Sequence, residues 1–219
     1  MLSADSSKAE LNVAIPDVAP FGYLEDGELK GIYHRIFTNL EKESGIKFIY
    51  TLYPYARLKT SLISENPDLV ILFAPVCEQH KPAFEIQKHL QRLTLSIFLK
   101  AKADVKSKDL RVARVRGTCL GFMNDTVKPE NIIDVSDFKQ ALSMIELGRA
   151  EGVCALNLVL NYNEKKHPEF TEKLTQFKTQ GPVAEFEAVL CGRKNIDQTL
   201  KKKLEKALKH VDTRIDNDL

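Results

Sequence analysis

The chain has 219 residues, 28% of them charged and 43% hydrophobic, and its 32 basic and 30 acidic side chains leave a formal net charge of +2. That length holds one large domain or two small lobes with a substantial core, and so ordinary a composition excludes disorder as the default. The balanced charge excludes an obligate nucleic-acid binder, which carries a strongly basic face, and no apolar stretch is long enough to span a bilayer.

From the N-terminus, Leu11-Asn12-Val13-Ala14-Ile15 reads as a short buried strand running into Pro20-Phe21-Gly22-Tyr23, a turn that presents aromatic rings. A hairpin-like Glu25-Asp26-Gly27-Glu28 follows, an acidic cluster of the kind that is normally just solvated in a turn. Gly31 to Ser44 is then helical, with Ile32, Ile36, Phe37 and Leu40 on one face and Gly45 as a left-handed cap. Ile46, Phe48, Tyr50 and Leu52 alternate with polar residues as a strand. A helix from Tyr55 to Ser64 is stopped by Asn66-Pro67, and Asp68 to Phe73 is a buried strand. This β-α-β-α-β order implies a parallel sheet. Leu93 to Leu99 is a further strand, and Lys100 to Lys108 a charged connector.

A second unit of the same kind begins beyond the connector. Leu110 to Val115 reads as a strand, with Arg116-Gly117-Thr118 turning into a short helical stretch. Asn131 to Val135 is a strand, Ser136 an N-cap, and Phe138, Ala141, Leu142 and Ile145 line a helix that Gly148 ends. Gly152 to Leu156 is a strand, Asn157 to Lys165 a helix, and Leu174 to Gln180 and Ala184 to Cys191 are strands around a Gly181-Pro182 break. An amphipathic helix from Asp197 closes the chain, with Leu200, Leu204, Leu208 and Val211 opposite the basic Lys201-Lys202-Lys203 run, which reads as a solvated face. Cys77, Cys119, Cys154 and Cys191 are widely spaced, so zinc and thioredoxin-type readings lack their spacing, while two disulfides and four buried thiols both fit.

Aromatic residues at two successive strand-to-helix junctions, Pro20-Phe21-Gly22-Tyr23 before Gly31-Ile32-Tyr33 and Tyr53-Pro54-Tyr55-Ala56-Arg57, sit at the sheet edge where open α/β folds bind small molecules. Their order, together with Val135 to Val153, resembles the amino-acid-type extracytoplasmic solute-binding proteins (family 3) over nearly the whole chain, from Leu11 to about Val211. The resemblance implies a type II periplasmic binding protein-like α/β fold, with two α/β lobes joined by a strand hinge. Residues 8–99 with 184–219 would form lobe 1 and 100–183 lobe 2, hinged near Lys100 and Ala184 to Val189. It further implies a monomer in the periplasm that closes on a small solute and delivers it to the membrane subunits of an ABC transporter. Leu2-Ser3-Ala4 before Asp5 looks like the small-residue end of a secretory leader, so a removed signal peptide is expected.

The expected ligand-binding residues are Phe21, Tyr23, Tyr55, Arg57, Arg116, Thr118 and Asn157. Rings that bracket a cleft supply large apolar area and faces that hold a cation or planar group. Phe21 and Tyr55 match aromatic positions that pack on ligand in the family; a place in the core is the competing reading for each ring, and Tyr33 reads as structural. Arg57 and Arg116 stand at strand-to-helix junctions, where a guanidinium forks onto a carboxylate or phosphate; a solvent-exposed salt bridge competes for Arg57. Gly117-Thr118 matches the loop that holds the ligand's acid group in the family. Two positions depart from the family pattern. His80 stands where the carboxylate-clamping arginine is expected, and Leu156, with Asn157 beside it, where the ammonium-binding aspartate is expected. Without those clamps a free α-amino acid is a poor ligand, and a neutral, aromatic, peptide-like or anionic compound fits better. No catalytic motif, cofactor site or metal site is visible. A sensory ligand-binding domain and a periplasmic cyclohexadienyl-dehydratase-like enzyme remain as alternatives.

Overall fold

Hydrophobic periodicity and turn chemistry build the first half of the chain. The computed structural model describes residues 10–64, 67–81, 83–100, 103–104, 106–119, 121–123, 126–167 and 177–214, the side chains of 177–183 excepted. Strand β1 (Glu10–Asp17) is buried along most of its length. A two-residue hairpin joins β2 (Tyr23–Glu25) to β3 (Glu28–Lys30), with Asp26 and Gly27 at φ 55° and 81° as a tight hairpin turn demands. Helix α1 (Ile32–Ser44) buries Ile32, Tyr33, Ile36, Phe37 and Leu40, and Gly45 ends it at φ 67° in the left-handed region. Then follow β4 (Lys47–Pro54), α2 (Tyr55–Ser64), β5 (Leu69–Phe73) and α3 (Ala74–Gln79). The last of these was not expected from the sequence.

Two strands of 17 residues, β6 (Phe84–Lys100) and β10 (Phe177–Arg193), bracket the remaining elements. Between them lie β7 (Val112–Val115), β8 (Ile132–Val135), α4 (Phe138–Glu146), β9 (Gly152–Leu156) and α5 (Asn157–Lys166). Helix α6 (Gln198–Ala207) follows β10. Three local expectations change. Strand β10 runs through Gly181-Pro182 without a break, since a proline interrupts a strand only where its N–H is needed. Residues 174–176 of the expected strand lie outside the described residues. The N-cap of α4 is Asp137 rather than Ser136: its carboxylate accepts the Gln140 N–H at 2.8 Å, and Gln140 Oε1 accepts the Ser136 N–H at 2.8 Å in return. The segment after Val115 is a turn rather than a helical stretch.

Contacts divide the described chain into two units, with 10–54, 58–91 and 187–214 in the first and 55–57 and 92–186 in the second. The strand order is β4-β1-β5-β10-β6-β9-β7-β8. In the first unit β4 and β5 flank β1 in parallel, and the C-terminal half of β10 adds antiparallel to β5. In the second unit β8 and β9 flank β7 in parallel, and Leu95–Leu99 of β6 pairs antiparallel with β9. Helix α6 packs on α1, burying Leu204 and Ala207. Lys201 pairs with Glu85, and Lys88 Nζ donates to the Leu208 carbonyl at 2.5 Å.

Each unit carries one disulfide. Cys77 in α3 is joined to Cys191 in β10, and Cys119 after β7 to Cys154 in β9. All four half-cystines are buried within the apolar clusters of their own units. In the chain-entropy account, loops of 114 and 35 residues contribute about 5 and about 4 kcal/mol.

Candidate ligand-binding site

In the first unit, the carboxyl end of β1 leads into a turn built on backbone alone. The Ala19–Pro20 peptide is cis, and the Val18 N–H donates to Gly22 O at 2.9 Å. The turn in turn caps α1, which has no side-chain cap. Ile32 N–H donates to Pro20 O and Tyr33 N–H to Phe21 O, both at 2.9 Å, satisfying donors that a helix start leaves open. Two glycines permit this fit. A Cβ at Gly22 would come 2.2 Å from Ile15 Cγ2, and one at Gly31, at φ 119°, would come 2.4 Å from Phe21 O.

The turn fixes two of the expected rings. Phe21 is buried, with its ring centroid 4.9 Å from that of Tyr33, while Tyr23 is half-buried at the start of β2. Asp17, the last residue of β1, pairs in register with Pro54, just before Tyr55. Its carboxyl is raised above the ordinary range by partial desolvation, and it makes no ion pair among the described residues. Sequence reading passed over Asp17, because a missing partner is visible only in three dimensions.

In the second unit, the chain leaves β7 through a tight turn. Arg116 N–H donates to Val135 O and Thr118 N–H to Val115 O, each at 2.9 Å, and Thr118 Oγ1 donates to Val115 O at 2.7 Å. That hydroxyl keeps its lone pairs for a further donor. Gly117 at φ 86° and Cys119 at φ 57° flank Thr118 in left-handed conformations, and the Gly117 N–H meets no acceptor among the described residues. Residues 55–57 group with this unit, and a Cβ on Gly117 would lie 2.8 Å from Ala56 Cα. The start of α2, Tyr55-Ala56-Arg57, and the turn Arg116-Gly117-Thr118 are thus brought together. Arg57 and Arg116 are exposed, and desolvation raises the pKa of the Tyr55 phenol. Two exposed guanidinium groups, a free N–H and a hydroxyl suit a carboxylate or other anion.

Asn157 is a tether in this unit: its Oδ1 accepts the hydroxyl of fully buried Ser96 at 2.8 Å. Its neighbour Leu156 is the N-cap of α5 and packs against the core cluster that includes Cys154. In the first unit, His80 caps α3, with Nδ1 2.9 Å from Val76 O. Neither position offers the charge that a zwitterion clamp needs. Among the described residues no group of three His, Cys, Asp or Glu could hold a metal ion.

No protein-family model matches this chain, and no curated protein does. Solved structures do. An arginine-bound mutant of ArgBP from T. maritima is similar at 16% identity and TM-score 0.68, covering 93% of this chain and 96% of its own. The arginine-, lysine-, histidine-binding protein ArtJ from Geobacillus stearothermophilus is similar at 20% identity and TM-score 0.67, over 92% of this chain and 88% of its own. A histidine kinase sensor domain with similarity to periplasmic binding proteins is similar at 13% identity and TM-score 0.71, over 93% and 89%. The chain has the mixed α/β fold of these periplasmic binding proteins.

Proposed function

We propose that this chain is an extracytoplasmic solute-binding protein that takes one small molecule between its two units and closes on it. The observation that carries the reading is the fold, shared over 93% of this chain and 96% of an arginine-bound ArgBP. A disulfide in each unit supports an oxidising compartment, where such bonds persist. The periplasm is the compartment proposed, with a monomer delivering its ligand to the membrane subunits of an ABC importer. Phe21, Tyr23, Tyr55, Arg57, Arg116 and Thr118 are the proposed ligand contacts, and Asn157 supports them through Ser96.

The ligand proposed is an apolar or aromatic body with one acidic or strongly polar end. His80 Nδ1 is engaged by Val76 O and Leu156 is a half-buried apolar residue packed against the core, so neither pole of a free α-amino acid finds a clamp there. Desolvating both charges without partners costs more than the rings return. A calorimetric screen of aromatic carboxylates against the common amino acids tests this, with measurable affinity expected only for the former. Tight binding of an ordinary amino acid overturns it. The likeness to a histidine kinase sensor domain at TM-score 0.71 supports a second reading, a sensory ligand-binding domain. Growth on the identified ligand separates the two: deleting an importer component abolishes uptake, whereas deleting a sensor alters transcription with uptake intact.

A further inference from the structure

We propose that the Cys119–Cys154 disulfide is the positioning element of the ligand-holding turn Arg116-Gly117-Thr118, a role that rests on the proposed binding function. Strand β9 is the fixed side of the bond. Cys154 pairs in register with Ile97 of β6 on one side and with Arg114 of β7 on the other, so it is held by two neighbours. Cys119 is the side that needs holding. It lies at φ 57°, a conformation that residues with a Cβ rarely adopt, directly after Thr118.

The turn's one long-range bond is Arg116 N–H to Val135 O on β8; from Gly117 onward its bonds are short-range. Thr118 reaches back to Val115 through its N–H and its hydroxyl, the hydroxyl also lying 3.8 Å from Cys119 Sγ, and the next backbone hydrogen bonds downstream are those of Thr126 and Val127 to Met123 O. Among the described residues, the disulfide is thus the one covalent link from the stretch between Thr118 and Met123 to a central strand, Phe122 and Met123 adding apolar packing alone. It also fixes the direction in which Gly117 N–H and Thr118 Oγ1 face, because a left-handed residue on each side leaves the turn little freedom once both ends are anchored. Cys154 is two residues from Leu156 and three from Asn157, so the same bond ties two candidate site segments to one strand.

The unit's core does not depend on the bond. Cys119 and Cys154 lie in an apolar cluster with Leu95, Ile97, Leu99, Leu110, Val112, Met123 and Val127, which persists when two sulfur atoms are replaced by methyl-sized side chains. Loss of the bond therefore frees the turn while β7, β8 and β9 remain paired. The other disulfide, Cys77–Cys191, has no candidate contact adjacent to it in sequence other than His80, which is engaged in capping α3.

The test uses the full chain with Cys119→Ala/Cys154→Ala, beside Cys77→Ala/Cys191→Ala. Amide hydrogen exchange is read for Arg116 to Cys119 and for β7 and β8, and phenylacetate serves as an anionic aromatic probe in calorimetry. The expected result is exchange at least tenfold faster at Thr118 and Cys119 in the first variant alone, with β7 and β8 accelerated no further than the measured fall in global stability dictates. Wild-type exchange in the turn, or equal acceleration throughout the second unit, overturns the positioning role. Should Cys119→Ala/Cys154→Ala not fold, Cys119→Ser in the same exchange measurement decides on the same criterion. Where phenylacetate binds the wild type, at least tenfold weaker binding to the first variant and unchanged binding to the second is expected; unchanged binding to both overturns the proposal. Failure of wild type to bind phenylacetate counts against the proposed ligand class, and the exchange result judges the disulfide independently.

Discussion

Gly31→Ala is the substitution whose cost the structure specifies most fully. Gly31 stands at φ 119° and ψ 170°, a region that is nearly glycine's alone, and alanine there costs on the order of 2 kcal/mol in backbone strain. Its Cβ would also lie 2.4 Å from Phe21 O and 2.9 Å from Gly22 Cα, which are backbone atoms that no rotamer change can move aside. The Pro20–Gly22 turn must shift, weakening the bonds from Ile32 N–H to Pro20 O and from Tyr33 N–H to Phe21 O, at about 1 kcal/mol each. Together these give about 4 kcal/mol. Gly45→Ala is the matched control: φ is 67°, nothing lies within 4 Å of its Cβ, and the expected cost is about 1 kcal/mol. For a chain of this length each kcal/mol lowers Tm by roughly 2–4 °C, so losses of about 10 °C and about 3 °C are expected by calorimetry. Binding should also weaken in Gly31→Ala at permissive temperature, because the displaced turn holds Phe21 and Tyr23. If the two variants lose stability within 1 kcal/mol of each other, the close approach of Gly31 to Phe21 is not what holds the turn.

Tyr55→Ala should weaken binding of the identified ligand roughly thirtyfold, the effect of about 2 kcal/mol at a desolvated aromatic anchor, while Lys203→Ala on α6 leaves calorimetric affinity unchanged. Removing Cys77 and Cys191 together should cost up to about 5 kcal/mol in denaturant titration, more than removing the pair that closes the shorter loop. His34 is held below its ordinary pKa of 6.5 by desolvation, partly opposed by Glu41. The unfolded chain then binds the proton more readily, so this stability is fully present above 6.5 and is lost as pH falls from there through the depressed folded value. His34→Gln should flatten the pH dependence of the denaturation midpoint in that window. Asp197→Ala, which removes the carboxylate accepting Thr199 N–H at 2.8 Å and Leu200 N–H at 3.2 Å, should cost about 1 kcal/mol.

Where burial dictates structure, the sequence carries the answer in its periodicity. The five apolar positions of α1 all face the core, and Gly45 ends the helix in the conformation that its lack of a Cβ allows. The first half of β6 shows why such reading fails elsewhere. Phe84 and Ile86 pack against the first unit's core, but Lys88 interrupts their alternation and the segment's far end meets charged partners instead. His89 lies 2.9 Å from Glu187 and Arg92 3.5 Å from Glu185, partners almost a hundred residues away in β10. Where a strand's side chains turn from apolar to charged neighbours, the hydrophobic period in the sequence stops. The same logic covers Ser136 and Asp137. Both are good N-caps by residue type, and the choice between them rests on which carboxylate or hydroxyl reaches the Gln140 N–H.

The candidate site divides along the same line. Residue type and position relative to strand ends were enough to single out the Pro20–Tyr23 turn and the Arg116–Thr118 turn, since chain direction places both beyond the carboxyl ends of parallel strands. What a residue's type cannot show is whether its groups are already spent. Asn157 satisfies a buried serine, His80 satisfies a helix end, and Phe21 packs against Tyr33, whereas among the described residues Asp17 has no ion pair and the Gly117 N–H no acceptor. Four cysteines permit three pairings, and only tertiary placement selects the one that ties each pair within its own unit. That selection has a functional consequence. Because neither bond links one unit to the other, both can remain intact through the hinge motion that the proposed function requires, while each keeps its own unit rigid.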